Sequence, residues 1–260
     1  MLPKQQSYWL VCANIKSMNY TKLPVEKIFN LADFIVAKDG LVISKNVCDI
    51  AAFNMTLYSF GAGEGITWQT IPGDLLLSVV EGQALLETDD EGTDDGETGN
   101  LGGTAKKQIA GKGMVLFVEG GRRFQISGNK PYKLNFAVVN KIKNPEKGEN
   151  LMFIKNFDQG KVVTLKDQVA VESGTIVSKT LVNGDALTMT LFAFDVGQGV
   201  STHSAPGDAF VVCLEGEAEI ELNGEKLLIH EGESLIMPAG APHALKAVQQ
   251  YKMLLTVVKA

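Results

Sequence analysis

Apolar and polar residues alternate in short runs along most of the chain, and turn residues separate the runs at intervals of roughly ten residues. The clearest example is EAEIELNGEKLLI, residues 217–229. There Ala218, Ile220 and Leu222 fall on one face, and Asn223-Gly224 supplies a two-residue hairpin turn. Helical periodicity is weak and confined to short pieces. The pattern therefore predicts an all-β protein made of sandwiches or barrels.

The pattern of the first half recurs in the second half. Residues 40–82 align with residues 174–216 at a constant offset of 134, and 15 of the 43 aligned positions are identical. The identities include the tripeptide Pro-Gly-Asp, which ends at Asp74 in one copy and at Asp208 in the other. A repeat this long predicts a duplicated domain rather than a solenoid. The tripeptide is interpreted as a turn-forming part of the scaffold.

A second pair of blocks extends the repeat. Residues 111–126 align with residues 231–246 at an offset of 120, which places Arg123 under His243. The first copy then contains about 14 additional residues. They fall in residues 87–103, whose first eleven positions include seven acids. The spacing of these acids does not match a calcium loop, so we predict a solvated, mobile hairpin loop.

The repeat defines the predicted domain organisation. Residues 1–22 form an N-terminal extension, residues 23–145 the first barrel and residues 146–260 the second barrel. Two readings of the extension remain open. Either translation begins at Met18, or the segment adds a strand to the edge of a partner's barrel.

The residues that the second copy places around its turns resemble the two motifs of the cupin family. Gly197, His203 and Gly216 match the first motif. Gly232, Pro238, Gly240 and His243 match the second motif. The resemblance implies a bicupin, that is, two tandem cupin barrels of the jelly-roll type.

In cupins that bind a metal ion, three histidines and one glutamate converge inside the barrel. The resemblance implies the same four ligand positions in this chain. The second copy keeps His203 and His243, but Ala205 and Ala209 stand at the other two ligand positions. Because side chains alternate along a strand, residues 203 and 205 are expected on the inner face. Cys213 is expected there too, mainly as a small buried residue and less as a nucleophile.

The first copy lacks every one of these ligands. The four corresponding positions in the alignment hold Gln69, Ile71, Leu75 and Arg123. No metal site is therefore expected in the first barrel. Arg123 beside Gln69 suggests a carboxylate-binding pair, with a surface or salt-bridged arginine as the alternative. The third histidine of the chain, His230, is expected on the surface.

Composition narrows the classes of function. Apolar residues make up 45% and charged residues 21% of the chain, and the net charge of -6 argues against a nucleic-acid partner. Three widely separated cysteines predict reduced thiols. There is no apolar run of about 18 residues and no convincing signal peptide, so we expect a cytoplasmic protein without a membrane partner.

Three hypotheses about function remain. The first is a small-molecule-binding bicupin whose pocket is formed by His203, His243, Ala205, Ala209 and Cys213, with a structural first barrel. In this first hypothesis the two histidines hold one divalent metal ion weakly, and the sequence does not distinguish between Zn, Mn, Fe and Ni. The alternative is a metal-dependent oxygenase or isomerase in which substrate or water completes the metal shell. The third is a structural or storage protein. The resemblance also implies a homodimer, and whether the chain is an enzyme stays open.

Overall fold

The computed structural model describes residues 19–89, 105–141 and 153–259. Across these ranges the regular structure is almost entirely β-strand, joined by two short 3₁₀ helices, Leu31–Phe34 and Leu165–Gln168. No helix within the described ranges is long and apolar enough to cross a membrane. The prediction of an all-β protein is confirmed.

Twenty strands lie in the described ranges. In chain order they are β1 (Phe29–Asn30), β2 (Val42–Ile50), β3 (Phe53–Phe60), β4 (Gly65–Thr70), β5 (Asp74–Glu81), β6 (Gln83–Thr88), β7 (Lys106–Gly111), β8 (Met114–Val118), β9 (Arg123–Ser127), β10 (Tyr132–Val139), β11 (Val162–Thr164), β12 (Ile176–Asn183), β13 (Leu187–Phe194), β14 (Gly199–Ser204), β15 (Asp208–Glu215), β16 (Glu217–Leu222), β17 (Glu225–His230), β18 (Glu233–Met237), β19 (Pro242–Ala247) and β20 (Tyr251–Val258).

The strands form two jelly-roll barrels, each made of a six-stranded and a four-stranded sheet. The sheets of the N-terminal barrel have the strand orders β11-β8-β5-β10-β3-β2 and β4-β9-β6-β7. Those of the C-terminal barrel are β1-β18-β15-β20-β13-β12 and β14-β19-β16-β17. The predicted pair of tandem barrels is thus confirmed. The hairpin at Asn223-Gly224 is also found, with both residues at positive φ (52° and 85°), as a tight two-residue turn requires.

The barrels exchange their first strands. Strand β1 precedes the N-terminal barrel in sequence but pairs with β18 of the C-terminal barrel. Strand β11 precedes the C-terminal barrel but pairs with β8 of the N-terminal barrel. Each barrel therefore completes its large sheet with a strand from the segment that leads into the other one.

The aspartate of each Pro-Gly-Asp tripeptide fastens this exchange. Asp208 Oδ2 accepts a hydrogen bond from the backbone N–H of Asn19 (2.7 Å), and Asp74 Oδ2 accepts one from the N–H of Ile154 (3.0 Å). Both carboxylates are buried, with Asp74 1% and Asp208 4% exposed. The tripeptide is therefore more than a turn, because its carboxylate satisfies the backbone of a segment from the other half of the chain.

The apolar core has three parts. One buried cluster contains residues of both large sheets, such as Met55, Leu57, Met189 and Leu191, and joins the barrels. A second fills the N-terminal barrel and a third the C-terminal barrel. The joint cluster holds the two barrels together as one packed unit.

Some predictions fall on residues outside the described ranges. They include the reading of residues 1–17, most of the acidic insertion and the boundary between residues 145 and 146. The domain bounds therefore stay a prediction. The first residues of the predicted insertion do not belong to a loop, because Glu87 lies in β6 and is only 5% exposed. Its carboxylate accepts a hydrogen bond from Gln125 Nε2 (2.7 Å), which holds it in the sheet.

Candidate functional site

Two neighbouring strands of the C-terminal barrel bring the two motif histidines together. In the antiparallel pairing of β14 and β19, His203 lies directly opposite His243. The ring centroids are 4.4 Å apart and the ring planes make an angle of 58°. These two residues are called the histidine pair below. Opposed residues in a sheet are close enough for their side chains to act on one ligand.

The loop that leads into β19 is held at fixed points. The backbone N–H of Gly240 donates to the carbonyl of Ala205 (2.9 Å), and the N–H of Ala239 donates to Asp208 Oδ1 (3.0 Å). Gly240 has a φ of 79°, a conformation that favours glycine. Asp208 therefore also positions the loop from which His243 follows, in addition to anchoring Asn19.

Both histidine rings are oriented by the backbone in the same way. Nδ1 of His203 lies 2.9 Å from the carbonyl oxygen of Ser201, and Nδ1 of His243 lies 2.9 Å from that of Ala241. A carbonyl oxygen only accepts, so each Nδ1 carries the proton. In the neutral ring, Nε2 then keeps its lone pair and can accept a proton or bind a metal ion.

The two histidines differ in burial. His243 is 7% exposed, and burial lowers the pKa of its imidazole. The nearby His203 lowers this pKa further, whereas the hydrogen bond to Ala241 opposes the shift. His203 itself is exposed, like all six residues of β14. The expected inner-face position of His203 is therefore only partly realised, because β14 is the edge strand of its sheet and nothing in the described chain covers it.

The other predicted pocket residues lie on β15 or just before it. Ala205 is partly buried against the core of the C-terminal barrel, and Ala209 is 1% exposed and lies opposite Met237. Cys213 is also inside, as its parity predicts, but it lies four residues further along the strand, roughly 13 Å from Ala209. Cys213 is thus separated from the histidine end of the barrel.

The chemistry of Cys213 is that of a buried thiol. Its Sγ lies 3.7 Å from the carbonyl oxygen of Glu215 and 3.6 Å from that of Gly216. Burial raises its pKa to about 12. A thiol that stays protonated at neutral pH is a poor nucleophile and a poor metal ligand.

The donor set fits a metal ion only in part. The histidine pair supplies two nitrogen donors in the correct tautomer. The described residues contain no group of three or more His, Cys, Asp or Glu side chains that could hold a metal. Stable sites usually have three or four protein ligands. The chain therefore offers half of a metal shell at this position.

The corresponding place in the N-terminal barrel corrects the sequence alignment by one residue. In the pairing of β4 and β9, Gln69 lies opposite Phe124, and Arg123 lies opposite Thr70. Phe124, rather than Arg123, thus occupies the position of His243. Phe124 is 1% exposed, which places an apolar ring where the other barrel has an imidazole.

Arg123 makes a contact that was not predicted from the sequence. Its guanidinium lies over the ring of Trp68, 5.2 Å from the centroid, which is a cation–π geometry. The positive-φ glycines Gly121 and Gly240 support the corrected alignment, because each donates to the equivalent carbonyl, that of Ile71 or of Ala205. The expectation that the N-terminal barrel lacks the histidine ligands is unaffected.

The interiors of the two barrels are filled differently around this place. Leu75 pairs with Val118 in the N-terminal barrel, whereas Ala209 pairs with Met237 in the C-terminal barrel. Met237 is 5% exposed. The flexible thioether side chain of Met237 thus stands where the N-terminal barrel has the branched Val118, and its partner Ala209 is much smaller than Leu75. Met237 was not singled out from the sequence, since a methionine in an apolar strand carries no distinctive signal.

Two cavities lie elsewhere on the molecule. One of about 310 Å³ is a shallow groove over the outer face of β14, β16 and β19, with Glu219, Glu221 and Lys246 in its lining. The other, of about 280 Å³, lies at the N-terminal barrel. Neither is lined by the histidine pair. His230 is remote from the pair as well, with a half-exposed side chain whose Nδ1 lies 3.1 Å from Glu217 Oε2, which confirms the expected surface position.

Comparisons with known proteins agree with this architecture. The family model described as "Cupin domain" matches residues 190–259. A Cupin 2 conserved barrel domain protein from Leptotrichia buccalis is 25% identical, with a TM-score of 0.72 over 92% of this chain and 99% of that one. A salicylate 1,2-dioxygenase from Pseudaminobacter salicylatoxidans is 13% identical, with a TM-score of 0.53 over 80% of this chain and 71% of that one.

A conserved protein of unknown function from Streptococcus pyogenes is 45% identical over 41% of this chain and 94% of its own length, with a TM-score of 0.41. A search of the curated proteins found no match to the chain. The similarity to the dioxygenase is one of fold alone.

Proposed function

The chain belongs to the cupin superfamily, and we propose that its C-terminal barrel binds a small organic molecule at the histidine pair. The observation that carries the proposal is the position of both Nδ1 atoms, each 2.9 Å from a backbone carbonyl oxygen. Both Nδ1 atoms are committed to backbone carbonyls, so both Nε2 lone pairs remain for a ligand. Two adjacent acceptors suit a ligand with hydroxyl groups or other hydrogen-bond donors.

The surroundings of the pair support an organic ligand. Ala205 and Ala209 remove the bulk that Ile71 and Leu75 provide in the N-terminal barrel. Met237 fills part of that space with an unbranched side chain that can adopt another rotamer. An apolar wall with a few convergent polar groups is the usual composition of a small-molecule site.

The two histidines have different parts in the proposal. His243 is buried, and its lowered pKa keeps the imidazole uncharged near neutral pH. It can therefore accept a hydrogen bond, or a proton, from the enclosed end of the ligand at Nε2. His203 is exposed and contacts the end that faces solvent. Proton transfer to this arrangement requires a ligand that carries an acidic C–H or O–H group.

A divalent metal ion is included as a weakly held second ligand. Such an ion would polarise a ligand oxygen placed beside it. Because the protein supplies only two nitrogen donors, the affinity is expected to be low without further donors. No step of the proposal depends on the metal, which would share the two Nε2 atoms with the organic ligand.

The same tautomer favours one second candidate. A metal-dependent oxygenase or isomerase needs imidazole Nε2 donors held by hydrogen bonds at Nδ1, and both histidines meet that requirement. In this candidate the substrate or water supplies the ligands that Ala205 and Ala209 cannot. Stoichiometric metal retention is the property that separates it from the first proposal.

The test compares three purified proteins: wild type, the double variant His203→Ala with His243→Ala, and His230→Ala as the matched control. They are prepared without chelator or nickel resin, under air and under nitrogen. Metal content is measured by mass spectrometry, and melting temperature is measured with a panel of small hydroxy acids and sugars. We expect a ligand-dependent rise in melting temperature in wild type and in His230→Ala, and none in the double variant.

The other outcomes discriminate between the hypotheses. One equivalent of metal in wild type, lost in the double variant, would favour the oxygenase or isomerase candidate. A rise in melting temperature that survives in the double variant would contradict a site at the histidine pair. If no ligand raises the melting temperature of any of the three proteins and none of them retains metal, a structural or storage role gains support.

A further inference from the structure

A second place for a ligand lies at the rim of the N-terminal barrel. The cavity of about 280 Å³ there is close in size to small-molecule pockets, which begin at roughly 300 Å³. It is framed by the end of β6, the start of β7, the end of β8 and the segment before β11. Its lining residues are Thr88, Asp89, Lys106, Val118, Arg122, Gln159 and Gly160. It does not belong to the histidine pair, which lies in the other barrel.

Among the residues that the structure describes, the cavity has one charged group of each sign without a partner. Asp89 Oδ1 is buried and accepts no hydrogen bond there. Within the described chain, the ammonium group of Lys106 makes no ion pair or hydrogen bond, and the two side chains do not pair with each other. An unsatisfied carboxylate at a partly buried position costs free energy that a donor in the cavity would recover.

Hydrogen bonds hold the wall beside these charges. With the amide of Gln159 oriented so that both of its ends are satisfied, its oxygen accepts from Arg122 Nε (3.2 Å) and its nitrogen donates to Glu119 Oε2 (3.2 Å). Gln108 fixes the neighbouring backbone, since its Nε2 donates to the carbonyl of Gly160 at 2.8 Å. Arg122 and Lys106 both lie in the lining.

The C-terminal barrel has no equivalent of this charge pattern. Thr88 pairs with Lys106, whereas Leu222 pairs with Glu225 at the corresponding place. Val118 is replaced there by Met237. The charges are thus not required by the shared fold, because the other barrel forms the same strands without them.

We propose that this cavity binds a small zwitterion, with its ammonium group at Asp89 and its carboxylate at Lys106. A ligand with only a negative charge would leave Asp89 unpaired and would be repelled by its carboxylate. A ligand with only a positive charge would do the same at Lys106. The proposal is independent of the function proposed for the histidine pair.

The experiment uses the full-length protein and four probes: glycine, β-alanine, acetate and methylammonium. Binding is followed by amide chemical shifts in NMR, in particular those of Thr88 and Gly160. The variants are Asp89→Asn and Lys106→Met. The matched controls are Lys107→Met, whose ammonium pairs instead with Glu87 at 3.1 Å, and Asp158→Asn, whose exposed carboxylate lies next to Gln159 in the chain.

At least one of the two zwitterions is expected to shift the rim amides and to bind at least tenfold more tightly than acetate or methylammonium. Asp89→Asn and Lys106→Met should each weaken the binding of that zwitterion tenfold or more, whereas both control variants and His203→Ala should bind it as the wild type does. Equal binding of acetate and the zwitterions would overturn the proposal in favour of a plain anion site. The absence of shifts with all four probes would also overturn it.

Discussion

The two barrels share a scaffold but differ in what occupies one place inside it. In the N-terminal barrel, Gln69 lies opposite a buried Phe124, and in the C-terminal barrel His203 lies opposite a buried His243. Phe124 packs against Phe136, with centroids 6.1 Å apart, as part of an apolar interior. The comparison shows that the same arrangement of strands accommodates either an aromatic ring or a pair of imidazoles at this position.

The features that both barrels keep are those that hold the backbone. Asp74 and Asp208 each accept backbone hydrogen bonds from an incoming segment and from a loop of their own barrel. Asp74 differs in having Lys141 Nζ 3.3 Å away. Scaffold positions are thus repeated in both barrels, whereas the histidine pair is present in the C-terminal barrel alone of the two.

The largest expected effect comes from exchanging the residues that set the size of the two interiors. Leu75→Ala should lower the free energy of unfolding by about 2–5 kcal/mol, because it leaves a cavity in a filled core. Ala209→Leu should cost less, about 1–3 kcal/mol, since Met237 opposite it can change rotamer. Urea unfolding at pH 7.5 measures both values.

A conservative control for this exchange is Leu116→Met, at another fully buried position of the N-terminal barrel, which should cost less than about 1.5 kcal/mol. Equal losses from Leu75→Ala and Ala209→Leu would mean that the two interiors are equally full. Ala209→Leu should also abolish ligand binding at the histidine pair, whereas Leu75→Ala should leave it intact.

The next effect concerns the buried carboxylates. Asp208→Asn should lower the free energy of unfolding by about 1.5–3 kcal/mol, because charge-assisted hydrogen bonds to the Asn19 and Ala239 amides are replaced by weaker contacts. Hydrogen exchange should speed up at those two amides. Asp74→Asn should instead speed exchange at Gly120 and Ile154.

If either asparagine variant changed exchange uniformly over the whole chain, the role of the carboxylate as a local clamp would be wrong. Asp167→Asn serves as the control, because it lies in the 3₁₀ helix Leu165–Gln168 of an exchanged segment, and its carboxylate receives no hydrogen bond within the described residues.

The sequence predicted the scaffold well because scaffold residues carry strong local signals. Alternation at Ala218, Ile220 and Leu222 and the glycine turns are visible without a partner strand. The strand exchange was not predictable, because β1 and β11 are two and three residues long and their partners lie far away in the sequence. Nothing in a local pattern says to which barrel such a strand belongs.

The site was predictable only in part, for a similar reason. The spacing of the motifs brought His203 and His243 together, but the exposure of His203 depends on β14 being an edge strand, which is a property of the whole sheet. The error at Arg123 arose because the loops Glu119–Arg122 and Pro238–Ala241 align plausibly in two ways. Register inside the sheet, which decides between them, is set by hydrogen bonds and not by composition.

The smallest expected effect is the pH dependence that His243 gives to the C-terminal barrel. Its pKa in the folded protein is lowered, so below the unfolded value of about 6.5 the unfolded chain binds the proton more readily. The contribution of His243 to stability is therefore complete at pH 7.5 and decreases as the pH falls through 6.5 toward the folded pKa. His203→Gln combined with His243→Phe reproduces the pair of the N-terminal barrel and should remove this loss.

Urea midpoints at pH 7.5 and 5.5 measure the difference, with His203→Gln alone and His230→Gln as controls that keep His243. Titration of the His243 ring by NMR should give a midpoint below that of a histidine in an unfolded peptide. If the double variant loses as much stability between the two pH values as wild type does, the acid sensitivity comes from other groups. In that case the buried imidazole would be as well accommodated when charged as when neutral, which is not expected for a side chain that is 7% exposed.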